Sequence, residues 1–340
     1  MFSRQKGMRF NVFLLVFFMI VSLDPIWSGG ANEGVVEEAK QPKTSFPEKP
    51  IQMVVGYAAG GDTDMYGRLI AAALEKKLGQ PVVVTNVQGG GGSIGVQQVH
   101  DSKPDGYSVL FSHWGSLTNE LNGMINYSIL DDFEIPAVCL QDTSLMLIGN
   151  SKGQYKTARE LFDAAKANPD TVKIGMETGT MYHLFWLILQ ATNDVTFHLI
   201  DTGGQPTRVA ALMSQQIDAY MHVYPTVQEM IKSGDFINMG TVANERNSLY
   251  SDIPTIGEYG IKGLESMGAK YFYLALPKGT PDEIVDVYEN ALKDIASDEA
   301  IQQSMAKYTV NLIYKPRDEA NKILGAQRET VMKYGNLLKK

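Results

Sequence analysis

IQMVVGYAAGGDTDMYGR, residues 51–68, is the most informative segment of the chain. Met53–Val55 is a short apolar run of the kind that forms a fully buried parallel strand. Ala58–Gly61 follows with almost no side chains, so a ligand can approach the bare backbone. Asp62 and Thr63 are good N-cap residues, and the helix they begin offers free N–H groups and a favourable dipole to an anion. The stretch therefore predicts a strand, a glycine loop and a helix that bind a carboxylate- or phosphate-sized anion.

The N-terminus has the pattern of a signal peptide. Three basic residues precede an apolar run, Phe10–Leu23, and the small residues that follow end at Ala31. The run is shorter than the roughly 20 residues needed to span a bilayer, and an uncleaved anchor is the alternative. We predict a signal peptide over residues 1–31 and a flexible leader over residues 32–45.

Composition and charge exclude several classes of partner. Without residues 1–31 the chain holds 27 Lys and Arg against 37 Asp and Glu, a net charge of −10. This argues against nucleic acid and anionic lipid, and it requires local donors to capture an anion. The single cysteine, Cys139, rules out an internal disulfide, and we predict that it is buried. The spacing of the five histidines predicts no metal site. We expect no cofactor.

Strands and helices alternate along the chain, which predicts an α/β fold with parallel sheets. The roughly 295 residues after the leader exceed one ordinary core, so we predict two lobes. An extended stretch over residues 136–149, broken at Gln141–Asp142, predicts the crossing into the second lobe, and Tyr271–Leu276 predicts the return. The predicted lobes are residues 46–142 with 268–340, and residues 143–267.

The pattern of strand, glycine loop and helix returns in the second lobe. Lys173–Met176 is the strand, Glu177–Thr180 the loop and Met181–Gln190 the helix. Two lobes that each present a helix N-terminus to a shared cleft describe a clamshell binding protein with the two crossings as its hinge. Ser112 and His113 follow the third strand, at the sheet edge where α/β proteins bind ligands.

Five segments that span nearly all of residues 46–340 carry a family resemblance. They are FPEKPIQMVVGYAAGGDTDMYGR, LGQPVVVTNVQGGGGSIG, KPDGYSVLF, RNSLYSDIPTIGEYG and LPKGTPDEIV. In this order they resemble the Bug family, the extracytoplasmic solute-binding subunits of tripartite tricarboxylate transporters. The resemblance implies a type II periplasmic-binding-protein fold that closes on an organic carboxylate. It also implies a periplasmic location and membrane permease subunits as partners.

The resemblance further implies that two loops hold the ligand, partly through ordered water. They are the first-lobe loop, Tyr57–Gly61 with Asp64, and the second-lobe loop, Thr178–Thr180. The predicted site also includes side chains at the end of the third strand, at the start of the second-lobe helix Met181–Gln190 and in the segment LIDTGG. The predicted ligand-binding residues are Tyr57, Ala58, Ala59, Gly60, Gly61, Asp64, Ser112, His113, Thr178, Gly179, Thr180, Tyr182, His183, Asp201, Thr202 and Gly203. Arg208 is expected on a solvated helix face, with a position at the cleft as the alternative.

The second loop predicts the class of ligand. The hydroxyls of Thr178 and Thr180, with the open backbone of Gly179, suit a second anionic group. We therefore predict a C4–C6 dicarboxylate in preference to a monocarboxylate. Asp201, near the same edge, is expected to repel a third carboxylate. An aromatic acid is the alternative if the rings of Tyr182 and Trp186 line the cleft.

Two motifs in the glycine-rich segment suggest other functions. Residues 90–95 match the dinucleotide fingerprint G-x-G-x-x-G, but the next strand lacks the acidic residue that would hold a ribose. Residues 91–95 also fit the G-x-S-x-G nucleophile elbow with Ser93, so an exported esterase with His198 or His222 as base is the alternative function. Only two strands precede Ser93, which favours a loop that brings backbone to the cleft. We predict a monomeric, non-catalytic receptor.

Overall fold

The computed structural model of the protein describes residues 45–247, 250–308 and 310–339. The predicted signal peptide, residues 1–31, lies outside these residues, as does the predicted leader apart from residue 45. Of the helices in the described ranges, none is both long and apolar enough to cross a membrane.

The described residues fold into two β-sheets with helices packed against them. The strands are β1 (Ile51–Val55), β2 (Val82–Asn86), β3 (Ser108–His113), β4 (Phe133–Glu134), β5 (Ala137–Asp142), β6 (Leu145–Asn150), β7 (Lys173–Met176), β8 (His198–Asp201), β9 (Ala219–Val223), β10 (Phe236–Thr241), β11 (Lys270–Pro277) and β12 (Asn311–Pro316). The α-helices are α1 (Asp62–Leu78), α2 (Ser93–His100), α3 (Gly115–Leu121), α4 (Ala158–Ala167), α5 (Met181–Asn193), α6 (Gln205–Met213), α7 (Gln228–Lys232), α8 (Asp282–Ala296), α9 (Glu299–Ala306) and α10 (Arg317–Tyr334).

Each sheet mixes strand directions, so the prediction of parallel sheets is wrong for part of each. The first sheet has the order β12-β5-β11-β3-β1-β2, with β4 beside β11, and the second has the order β10-β6-β9-β7-β8. The pairs around β1 and β7 are parallel. β11 and β6 run antiparallel to their long neighbours because each is entered from the other sheet, at the edge where those neighbours end. β12 also runs antiparallel to β5.

The chain passes between the two sheets twice. β5 of the first sheet ends at Asp142, and β6 of the second sheet begins at Leu145. β10 ends at Thr241, and β11 returns to the first sheet at Lys270. Two α/β lobes joined by two crossings result, and their limits in the sequence stay a prediction.

The opening motif forms around a fully buried strand. Met53, Val54 and Val55 have no exposed surface, because β1 lies between β2 and β3 with side chains packed on both faces. Gly61 is the N-cap of α1, one residue before the predicted caps. Cys139 is buried in β5, as predicted.

Candidate ligand-binding cleft

A cavity of about 260 Å³ lies between the loops that follow β1, β3, β7 and β8. Both sheets supply its walls. The first-sheet side contributes Tyr57, Asp62, Thr63, Gly91, His113, Trp114, Gly115, Thr118, Asn119, Met124 and Lys270. The second-sheet side contributes Glu177, Thr178, Gly179, Thr180, Met181, Tyr182, Gln205, Arg208 and His222. The volume suits a small organic molecule.

The structure separates the predicted ligand-binding residues into two groups. Those that line the cavity are Tyr57, His113, Thr178, Gly179, Thr180 and Tyr182. Those placed outside its lining are Ala58, Ala59, Gly60, Gly61, Asp64, Ser112, His183, Asp201, Thr202 and Gly203. Contact of any of them with a ligand stays a prediction.

Asp64 holds the first-lobe loop in place. Its Oδ2 accepts hydrogen bonds from the Gly60 N–H at 2.9 Å and from Arg68 Nε at 3.1 Å, and its Oδ1 accepts one from Asn86 Nδ2 at 2.9 Å. Burial acts to raise the pKa of Asp64, but these hydrogen bonds outweigh it and the pKa is lowered. The Asp64 carboxylate thus uses its hydrogen bonds to fix the conformation of the loop.

Asp62 and Lys270 form a buried ion pair in the cavity wall. Lys270 Nζ lies 2.6 Å from Asp62 Oδ2, and the side chains are 4% and 15% exposed. Burial acts to raise the pKa of Asp62, but the positive charge of Lys270 outweighs it and holds that pKa below its usual value. The sequence predicts Asp62 only as a helix cap, because its partner Lys270 lies 208 residues away in the chain.

Two histidines bring neutral rings to the cavity. The Nδ1 atom of His113 accepts a hydrogen bond from the Gly115 N–H at 2.9 Å, and its ring stacks on Tyr57 with centroids 4.8 Å apart. His222 lies 2.8 Å from Thr226 through Nδ1. Burial lowers the pKa of both rings, that of His222 to about 3. The histidines therefore act as neutral hydrogen-bonding groups. Among the described residues, no three of His, Cys, Asp and Glu are placed to hold a metal ion.

The second-lobe loop uses many of its polar groups internally. Thr180 caps α5: its hydroxyl donates to Glu177 O at 2.7 Å and accepts from the His183 N–H. The Gly179 N–H donates to His183 Nδ1 at 3.3 Å. Asp201 accepts from the Thr178 N–H at 3.3 Å, outside the cavity lining. Fewer free donors face the cavity from this loop than its sequence predicts.

Arg208 is buried at the cavity, so the expected position on a solvated helix face is wrong. The residue is 2% exposed although α6 lies at the surface. A Cβ at Gly175 in β7 would lie 2.4 Å from Ile217 Cδ1 and 3.3 Å from Arg208 Cγ, so this glycine leaves room for both side chains. Nη2 donates to Gly203 O at 2.7 Å and lies 3.8 Å from Glu177 Oε2. Burial lowers the pKa of this guanidinium.

The glycine-rich segment packs tightly on β1. A Cβ at Gly56 would lie 2.8 Å from Gly92 O, and a Cβ at Gly95 would lie 2.8 Å from the Gly56 Cα. The pair of glycines thus lets two backbones touch and brings Gly91 to the cavity. The two histidines considered as bases for Ser93 have other partners: His198 Nδ1 lies 3.0 Å from Asp170, and His222 Nδ1 faces Thr226. Among the hydrogen bonds of the described residues, neither histidine is paired with Ser93.

Two α/β lobes, two crossings and a cavity walled by both lobes define a clamshell solute-binding protein. The sequence model of the family described as "Tripartite tricarboxylate transporter family receptor" matches residues 67–340, so the chain belongs to this family. The comparison confirms the resemblance to the Bug family and the role of a solute receptor in transport.

Similar proteins share both sequence and fold with this chain. Protein BugT of Bordetella pertussis is 29% identical over 266 residues, which cover 77% of this chain and 81% of BugT. The structure of the periplasmic binding protein BugD matches with a TM-score of 0.72 at 28% identity, over 86% of this chain and 98% of that one. Rpa4515 of R. palustris, solved with adipate, matches with a TM-score of 0.75 at 20% identity, again over 86% and 98%. These structures confirm the periplasmic-binding-protein fold.

Proposed function

We propose that this receptor is exported to the periplasm, binds a C4–C6 dicarboxylate between its lobes and delivers it to the permease subunits of a tripartite tricarboxylate-type transporter. The observation that carries the proposal is a cavity with a buried cation in each wall, Lys270 on one side and Arg208 on the other. Each wall thus offers cationic N–H donors, which suits a ligand with a carboxylate directed at each lobe. The receptor acts as a monomer and performs no catalysis.

A third carboxylate fits this cavity poorly. Asp62 and Glu177 line the wall with their own negative charges, and these oppose a third carboxylate, for which the described residues of the lining offer no further cation. Asp201, the residue first expected to repel a third carboxylate, lies outside the lining and binds backbone N–H groups of Thr178 and Gly203. The preference for dicarboxylates therefore rests on Asp62 and Glu177.

Thermal denaturation and calorimetric titration test the ligand class. We expect succinate, malate or adipate to raise the melting temperature, and citrate and butyrate to do so less. At a ligand concentration about 100 times Kd, the stabilisation is about 2.7 kcal/mol. A protein that binds citrate most tightly, or that responds to none of these acids, contradicts the proposal.

Closure on the ligand is a second expected result. Each lobe supplies only part of the cavity wall, so a ligand held by both favours the closed arrangement. Small-angle scattering should show a smaller radius of gyration with a saturating dicarboxylate than without it. Butyrate at the same concentration is the matched control. An unchanged radius with the dicarboxylate at saturation would mean that binding needs no closure.

A further inference from the structure

Arg208 is a buried cation whose donors are largely unused. A guanidinium carries five N–H donors and no acceptor. Nη2 donates to Gly203 O at 2.7 Å, and Nε is buried without a hydrogen-bond partner among the described residues. The nearest carboxylate, Glu177, stays 3.8 Å away and is 49% exposed. The side chain borders the cavity.

This arrangement costs stability in the ligand-free protein. A charge taken out of water and left short of partners is unfavourable, and replacing it with an apolar side chain of similar size often stabilises a protein. The rings of Tyr182 and Tyr220, each 5.9 Å from the guanidinium carbon, compensate only in part. The side chain is nevertheless packed at 2% exposure beside Gly175, which leaves room for Ile217 and for the arginine stem. A ligand that supplies the missing acceptors would account for the burial of this charge.

The other cation of the cavity is already neutralised. Lys270 lies 2.6 Å from Asp62 in a buried pair, so it adds donors to the cavity but little net charge. Arg208 faces Glu177 across a longer distance, and half of that carboxylate is in solvent. The uncompensated positive charge of the cleft is therefore on the second-lobe side. A planar guanidinium fork also matches a carboxylate with two parallel hydrogen bonds.

We infer that Arg208 binds one carboxylate of the ligand from the second lobe and thereby selects acids with two carboxylates over those with one. The inference rests on the proposed function, because it assigns a residue of the same cleft to the second carboxylate. The ligand carboxylate binds the guanidinium N–H groups that border the cavity, and the buried Nε shows that the chain itself leaves this guanidinium short of acceptors.

The test is a set of affinities measured by calorimetry with paired ligands. Succinate is compared with succinamate, and adipate with adipamate, so that each pair differs by one carboxylate turned into an amide. The proteins are the wild type, Arg208→Met, Arg208→Lys and the control Arg159→Met. Arg159 is an exposed arginine of α4 in a loose pair with Asp163, so its loss makes the same charge change away from the cavity.

We expect Arg208→Met to lose about 100-fold in affinity for the diacid that the wild type binds, and Arg208→Lys about tenfold, since lysine keeps the charge but not the fork. The half-amides should change little in any variant, and Arg159→Met should behave as the wild type. The melting temperature of ligand-free Arg208→Met should be unchanged or higher, which a merely structural arginine would not produce.

Several results overturn the inference without touching the proposed function. They are a wild type that binds a diacid and its half-amide equally, an Arg208→Met protein that keeps its affinity for the diacid, or one that loses the diacid and the half-amide alike. Should Arg208→Met not fold, the wild-type ligand pairs and Arg208→Lys still decide. A wild type that binds no diacid at all contradicts the proposed function instead.

Discussion

Lys270→Met should lower the free energy of unfolding by about 3–5 kcal/mol at neutral pH, because removing one member of a buried ion pair leaves the other charge uncompensated. Lys270 is 3% exposed and lies 2.6 Å from Asp62. Its charge also acts on Asp142, which is fully buried and paired with Lys270 across the two crossing strands. Two buried carboxylates lose their nearest cation. Urea denaturation of both proteins at pH 7 measures the difference.

The same substitution should change how stability depends on pH. In the wild type the folded pKa of Asp62 lies below its ordinary value of 3.8, so the stability it contributes is present above that value and lost as pH falls through the folded pKa. Without Lys270, burial dominates and raises this pKa, and the penalty is relieved as the carboxyl takes up a proton on acidification. Burial raises the pKa of Asp142 and lowers the pKa values of His113 and His222, and the charge of Lys270 acts to lower all three, so its removal shifts them all upward. The stability gap between the proteins should narrow from pH 7 to pH 4.

Two variants control for the effect of Lys270. Lys278→Met removes a lysine just beyond the same strand, whose Nζ lies 3.1 Å from Glu134 and whose side chain is 58% exposed. Its loss should cost less than about 1 kcal/mol, as for most exposed pairs. Asp62→Asn combined with Lys270→Met should recover much of the lost stability, since no lone charge remains at that position. An equal loss from Lys270→Met and Lys278→Met would show that burial gives this pair no special weight.

Local patterns predicted much of the fold because they depend on neighbouring residues. The apolar run at Met53–Val55 and the glycine loop after it formed as expected, but Gly61 rather than Asp62 or Thr63 is the N-cap of α1. The break at Gln141–Asp142 also marks where the chain leaves the first sheet. Strand direction was not predictable, since it depends on which sheet edge the chain enters.

The charged residues of the cleft were harder to predict because each depends on distant parts of the chain. Asp62 looked like a helix cap, and its pairing with Lys270 appears only when β11 returns to the first sheet. Arg208 looked like a surface residue, since nothing in its own helix reveals the space left by Gly175 in β7. One signal was present: Lys270 is a lone cation at the start of the apolar run KYFYLALP. A lysine buried in such a run needs a carboxylate partner, and in this chain that partner is Asp62 at the cleft.

Gly179→Asp should reduce the affinity for a dicarboxylate by about 100-fold or more, because like charges at a desolvated contact cost several kcal/mol. Gly179 lines the cavity, and its φ of 78° lies in the left-handed region. Asp and Asn are the side chains that tolerate this conformation best. A Cβ at this position would meet only Asn122 Nδ2, at 3.8 Å, so either side chain can be accommodated.

Gly179→Asn is the matched control, since it has the shape and backbone preference of Asp without the charge. We expect it to lose less than about tenfold in affinity, and both variants to melt at similar temperatures without ligand. The introduced carboxylate of Gly179→Asp would also compete for Arg208, which borders the same cavity, so the loss should be larger for succinate than for succinamate. Calorimetric titration of both variants with both acids separates charge from shape. Equal affinities in the two variants would show that the carboxylate binds away from this loop, and the second-lobe half of the proposed site would then have to be abandoned.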